Sequence, residues 1–129
     1  MDISGLHHVA IISSDYERSK RFYIDVLGCT IKKEFYRQER GSWKLDLLIP
    51  GTTAQIELFS FPDPPQRMSG PEATGLRHLA LRVTGIERMR EHLAMHNVPY
   101  EDVRVDEFTG NRFFFARDPD DLPTEFVEA

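Results

Sequence analysis

The sequence predicts an α+β chain made of two β-α-β-β-β modules in tandem, and three observations lead there. The phrase Leu6-His7-His8-Val9-Ala10-Ile11 returns as Leu76-Arg77-His78-Leu79-Ala80-Leu81, and Glu17-Arg18 returns as Glu87-Arg88. In both copies a short apolar run leads into a charged segment of helical character. Each half then closes on an apolar strand with an acid inside it, Ile56-Glu57-Leu58-Phe59 in the first and Thr124-Glu125-Phe126-Val127 in the second. Such self-similarity marks a unit laid down twice, whose copies bury their apolar faces by packing.

The elements follow in order. Leu6 to Ile12 is apolar and partly β-branched, which reads as a strand. Ser13, Ser14 and Asp15 are helix N-cap types, because their side chains accept from unpaired backbone N–H groups. From Tyr16 to Leu27 the apolar residues Phe22, Tyr23, Val26 and Leu27 fall at helical spacing, and Gly28 stops the helix. Thr30 to Glu39 reads as a strand of mixed facing, Arg40-Gly41-Ser42 as a turn, and Trp43 to Ile49 as the returning strand. Pro50-Gly51 makes a second turn, and Ala54 to Phe61 completes the first module.

Pro62, Pro64 and Pro65 open a connection that runs to about Gly75, since prolines cannot serve a sheet ladder and favour a stiff, extended segment. Residues 62–75 are therefore expected to link module 1 (about 4–61) to module 2 (about 76–128) within a single domain. Leu76 to Val83 is the next strand. Thr84 is expected to cap a helix from Ile86 to His96, with Met89 and Leu93 on its buried side and Asn97 closing it. Pro99 to Val105 reads as an edge strand, Thr109-Gly110-Asn111 as a turn, and Asn111 to Arg117 as a strand. A tight turn at Asp118-Pro119-Asp120-Asp121 leads into the last strand, Leu122 to Val127.

Composition narrows the function. A chain of 129 residues is one domain by length and can bury a sizeable core. A net charge of −5 without a basic stripe argues against nucleic acid as a partner. No apolar stretch has the length of a membrane span, and no basic-then-apolar leader opens the sequence, so neither a membrane partner nor a signal peptide is expected. The single cysteine, Cys29, excludes an internal disulfide and fits a cytoplasmic protein. It reads as a packing residue at a helix-to-strand junction.

His8, Glu57, His78 and Glu125 stand at equivalent places in the two halves. Imidazole nitrogens and carboxylate oxygens suit a divalent Zn, Ni, Co, Mn or Fe ion. Two neutral imidazoles and two carboxylates neutralise a 2+ charge and leave two positions free on a six-coordinate ion. A carboxylate between apolar neighbours costs several kcal/mol to bury unless compensated, by a metal or by an arginine. Alternation along a strand puts His8 and Glu57 on one face and His7 on the other. His92 and His96 fall on the second helix and read as surface residues. Arg37, Trp43, Lys44, Phe59, Arg104, Arg112 and Phe115 lie on strands expected to line a pocket, and the cations among them suit an anionic small-molecule substrate.

With these residues located, the chain resembles the vicinal oxygen chelate superfamily, which includes glyoxalase I, methylmalonyl-CoA epimerase, extradiol dioxygenases and fosfomycin-resistance proteins. The resemblance runs from Leu6 to Glu128. It is carried by His8-Val9-Ala10-Ile11, Phe22-Tyr23, Val26-Leu27-Gly28, Ile56-Glu57-Leu58, His78-Leu79-Ala80-Leu81 and the run from Asp118-Pro119-Asp120 to Glu125. It implies paired βαβββ modules forming a cupped mixed sheet around one divalent metal ion, with His8, Glu57, His78 and Glu125 as ligands and a homodimer as the expected assembly. The four ligands come from one chain or from two. An intact Glu57 leans towards the glyoxalase and epimerase members, because dioxygenase and fosfomycin-type sites use two His and one Glu. The family often carries Gly where Asp121 stands, and Asp is among the residues that tolerate the left-handed conformation of such a turn.

The implied activity is that of a lyase or isomerase of the lactoylglutathione lyase type, acting on a small carbonyl compound or its thiol adduct through a metal-stabilised enolate. Glu125 is then both ligand and catalytic base, with Glu57 serving the opposite face. The alternatives are a metal-dependent dioxygenase or antibiotic-modifying transferase, and a non-catalytic small-ligand-binding protein of the same fold.

Overall fold

The computed structural model describes residues 1–129, which fold as two compact units, Met1–Gln66 and Arg67–Ala129. The division falls inside the proline-rich segment 62–75, which contains neither helix nor strand. Each unit is a four-stranded mixed sheet with one helical segment on it, so the chain is α+β.

In the first unit β1 (His8–Ser13) is followed by α1 (Tyr16–Arg21). Asp15 supplies the cap, its Oδ1 accepting from the Arg18 N–H at 3.2 Å. The helix continues as a widened turn, Phe22–Val26, in which the Leu27 N–H reaches the Phe22 carbonyl five residues back at 3.0 Å. Gly28 at φ 78° ends it. β2 (Thr30–Arg37), a short 3₁₀ turn (Gln38–Arg40), β3 (Ser42–Leu48) and β4 (Gln55–Ser60) complete the sheet in the order β1-β4-β3-β2. β1 runs parallel to β4 and the remaining pairs are antiparallel.

Strand alternation divides this sheet cleanly. Ile11, Leu45, Leu47, Ile56 and Leu58 point to the helix side and are buried, as are Phe22, Tyr23 and Val26 of the helical segment. Removing such side chains from water is the main favourable contribution to the fold, at about 1.5–3 kcal/mol each. On the same side the Tyr16 hydroxyl donates to Glu34 at 2.5 Å, Lys20 donates to Glu34 at 2.8 Å, and the Tyr16 and Trp43 rings stack 5.8 Å apart. The mixed facing of β2 has a physical cause. Its register against β3 shifts between Ile31 and Lys33, a bulge that passes one residue without a partner. Ile31 pairs with the core residue Leu47 before the bulge, whereas Lys33, Phe35 and Arg37 turn to the helix-free side after it.

The second unit repeats the plan with β5 (Leu79–Val83), α2 (Ile86–Met95), β6 (Arg104–Val105), β7 (Arg112–Arg117) and β8 (Pro123–Glu128), in the order β5-β8-β7-β6. Phe114, Phe126, Ile86 and Leu93 are fully buried on its helix side, and the Phe114 and Phe126 rings stack 5.0 Å apart. Met89 is only half-buried. Asn97 at φ 58° closes α2, and Asp121 at φ 70° takes the left-handed position of its turn. That turn is held by Asp118, whose carboxylate accepts from the Asp120 and Leu122 N–H groups at 2.9 and 2.8 Å.

Three expectations are corrected. The strand expected over Pro99 to Val105 shrinks to Arg104–Val105 plus a lone bridge from Tyr100 to Ala116, because proline and the segment after it leave the ladder unpaired. The strand expected from Leu76 begins at Leu79, so His78 stands just before it. Thr84 does not cap α2. The residue at the cap is Gly85, which has no side chain to accept, and the Ile86 N–H is met at 3.0 Å by Glu128, brought there by the last strand. Cys29 is buried, and burial pushes its thiol up to about 11, so it packs as a neutral group. No helix is long and apolar enough to cross a membrane.

Two predictions follow from these contacts. The Lys20 and Tyr16 hydrogen bonds hold the Glu34 carboxyl below its ordinary range. The stability this gives is complete above the ordinary carboxylate value and is lost as pH falls through the lower, folded value. Acid denaturation should therefore be shallower in Glu34→Gln than in the wild type, and urea midpoints measured from pH 6 down to pH 2 check it. Glu128→Gln should lower the thermal midpoint by a few degrees and speed amide exchange at Ile86, whereas Thr84→Ala should leave both unchanged.

Candidate metal centre and adjoining cleft

Each sheet carries one His–Glu pair on the side away from its helix, and the pairs are built alike. In the first unit Glu57 lies directly opposite Ala10 in the parallel β1–β4 ladder. His8, two residues before Ala10, shares that face, and the small alanine leaves room for its ring to lean towards the acid. His8 Nδ1 stands 3.4 Å from Glu57 Oε2. In the second unit Glu125 lies opposite Ala80, and His78 Nε2 stands 3.2 Å from Glu125 Oε1. The acids are largely covered, with side chains 13% and 17% exposed. Ile56, Leu58 and Phe126 beside them are buried on the opposite face, so neither carboxylate can turn over without taking its strand out of register.

The surroundings of the two pairs differ. Lys44 and Asp46 face the first pair from β3: Lys44 Nζ is 2.7 Å from Asp46 Oδ1 and 3.5 Å from Glu57 Oε1. Burial pulls the Lys44 ammonium down, but the hydrogen bond and charge of Asp46 and the charge of Glu57 outweigh it and the net movement is upward. The lysine stays charged and anchors Glu57. His7 also joins this pair, its Nδ1 lying 2.8 Å from His8 Nδ1, so one of the two nitrogens carries the proton between them. In the second unit the position facing Glu125 belongs to Phe115, whose ring meets His78 edge-on at 5.2 Å. Arg77 Nη1 lies 3.0 Å from His78 Nδ1. A guanidinium only donates, so that Nδ1 accepts and the His78 proton sits on Nε2, facing Glu125.

The residues expected to line a pocket divide between the two faces of their sheets. Arg37, Lys44 and Phe59 stand on the His8–Glu57 face, where the Arg37 guanidinium covers the Phe59 ring at 4.7 Å. Arg104 and Phe115 stand on the His78–Glu125 face, 5.7 Å apart. Trp43 and Arg112 are on the helix sides. Trp43 stacks on Tyr16, and Arg112 is held by Glu87 at 2.7 Å and Glu128 at 2.8 Å. Three arginines not singled out in the sequence, Arg67, Arg77 and Arg117, line a cleft of about 210 Å³ beside Phe115. Arg77 was legible only as the counterpart of His7, and nothing in the local pattern marks the other two.

The donor set suits a divalent ion. Nitrogen and oxygen ligands at about 2.0–2.2 Å from one ion stand roughly 3 Å apart when adjacent. The 3.4 and 3.2 Å separations within the two pairs are close to that. Each pair supplies two ligands, and within one unit no group of three or more His, Cys, Asp or Glu side chains is arranged to hold an ion.

The chain is 52% identical over 128 residues to the uncharacterised protein YaeR of Escherichia coli strain K12, covering 99% of this chain and 98% of that one. The crystal structure of a glyoxalase family protein from Enterococcus faecalis is 41% identical and superposes with a TM-score of 0.90, covering 99% of this chain and all of that one. A more distant relative, a 2-epi-5-epi-valiolone epimerase from an Actinomyces species, is 28% identical over 104 residues, 69% of this chain and 57% of the epimerase. The sequence profile of one family matches residues 5–126, and with the duplicated β-α-β-β-β plan it shows that the chain belongs to the Glyoxalase/Bleomycin resistance protein/Dioxygenase superfamily.

Proposed function

We propose that the protein is a metal-dependent lyase or isomerase of the glyoxalase I type, acting on a small carbonyl compound or its thiol adduct. The observation that carries this reading is the duplicated pair: a histidine leaning over an alanine to a largely covered glutamate, at the same ladder position in both sheets. In this reading His8, Glu57, His78 and Glu125 form one ligand set, drawn from one chain or from two copies in a homodimer. A divalent ion held there would act as a Lewis acid on the substrate carbonyl and make the neighbouring C–H bond acidic.

The protein's own groups divide the remaining work. Glu125 is the base that takes the proton from the carbon next to the carbonyl and returns it. It has no lysine beside it, and Phe115 shields it on the neighbouring strand. Without an ion, Arg77 and Glu125 hold the His78 ring, one at each nitrogen. With an ion bound, Nε2 of His78 would ligate it without its proton, Nδ1 would carry the ring proton, and Arg77 would leave Nδ1. Glu57 is held by Lys44 and His8 and serves the opposite face of the substrate. A relative named as an epimerase, whose reaction inverts a carbon centre, is in keeping with proton-transfer chemistry. The arginines on the site faces suit a substrate that carries negative charge.

Metal-reconstituted protein should turn over a member of a panel of 2-oxoaldehyde–thiol adducts and acyl-CoA epimers. Glu125→Gln should lower that rate by roughly 10²–10⁴-fold while leaving the circular dichroism spectrum unchanged. Full activity in Glu125→Gln would remove the residue from its assigned role.

A further inference from the structure

The second unit contains a cleft of about 210 Å³ formed by the segment before β5, the segment before β6 and the end of β7. Four arginines and two glutamates line it, a formal balance of +2 in a chain whose net charge is −5. The arginines are not equivalent. Arg67 is a structural tie: it donates to the Leu76 and Arg77 carbonyls at 2.8 and 3.0 Å and to Ser69 Oγ at 2.9 Å. Arg77 is occupied by Glu72 at 2.8 Å and by His78. Arg117 has one exposed partner, Asp121, at 2.9 Å.

Arg104 is different. Its guanidinium lies over the Phe113 and Phe115 rings, 5.1 and 5.7 Å from their centres. It forms an ion pair with Glu101 at 3.6 Å, longer than a hydrogen bond, and both side chains are more than half exposed. The fork of five N–H donors is thus oriented by aromatic faces, loosely paired with Glu101, and makes no hydrogen bond to a protein acceptor. Orienting a cation in this way lowers the entropy lost when it takes a planar anion.

We propose that this cleft binds the carboxylate of a small organic acid, with Arg104 as the principal contact and Arg117 as the second, the body of the acid lying on Phe115. A cleft of about 210 Å³ takes an acid group with a short carbon chain. Planar guanidinium forks match a carboxylate in two parallel hydrogen bonds. Phe115 also meets His78 edge-on, so an acid lying on Phe115 is next to the His78–Glu125 pair. This deepens the carbonyl reading by naming the substrate class as small oxo acids or their derivatives.

The test uses the full chain, freed of metal by passage over a chelating resin and titrated with succinate and with inorganic phosphate by calorimetry and amide NMR. Succinate should saturate the wild type and shift the amides of Phe115 and Arg117. Arg104→Gln should weaken it about tenfold or more, Arg104→Lys should weaken it less, and Arg18→Gln on α1 should leave it unchanged. Absence of saturable succinate binding, equal affinity in Arg104→Gln, or phosphate binding more tightly than succinate would overturn the proposal. The measurement needs neither metal nor turnover, so succinate binding with no activity on any carbonyl substrate would contradict the catalytic reading alone.

Discussion

The constraint on which the site depends is strand parity. Glu57 and Glu125 stand in the middle of strands whose neighbours are buried, and a slip of one residue would drive each carboxylate into the apolar layer beneath its helix. Ile56 and Leu58 on one strand and Phe126 on the other hold that register, because exposing them costs more than any single polar contact on the other face returns. The core therefore aims the acids. The histidines are aimed by the same parity, each two residues before the alanine that faces its partner acid. Packing on one side of the sheet fixes chemistry on the other.

The duplication is faithful at these positions and departs around them, and the departures separate the two halves chemically. Lys44 and Asp46 surround Glu57 with charge, whereas Phe113 and Phe115 take the corresponding places beside Glu125. One carboxylate is anchored by a cation and the other is flanked by aromatic rings. The bulge in β2 belongs to the first half alone and brings Lys33, Phe35 and Arg37 to its site face. The arginine-lined cleft belongs to the second. Two copies of one unit have thus acquired different neighbours for the same pair of side chains.

Much of this was legible in the chain, for a reason specific to repeats. A single histidine in an apolar run carries little information, but His8 and His78 in matching phrases, each followed by an acid-bearing strand, mark shared positions before any coordinate is known. The bends were legible where the backbone needs a left-handed residue, as at Gly28, Asn97 and Asp121. Long-range contacts were not. Thr84 reads as the cap of α2 because it adjoins the helix, yet Gly85 holds the cap position and the Ile86 N–H is met by Glu128, far along the chain and close only in the fold. Trp43 and Arg112 sit on the expected strands but on their helix sides, and a mixed pattern beside a bulge or at a strand start does not reveal which side is which. Arg67 and Arg117 gather at one cleft through a proline-rich segment with no periodicity to read.

The central claim is that the two His–Glu pairs are halves of one ligand set and not two separate sites. Elemental analysis of purified protein after loading with a divalent ion and removal of excess, on the wild type, His8→Ala and His78→Ala, tests it directly. One ion per chain in the wild type, lost in both single variants, is the predicted result. Two ions per chain, with each variant losing only one, or either variant keeping full occupancy, would contradict it.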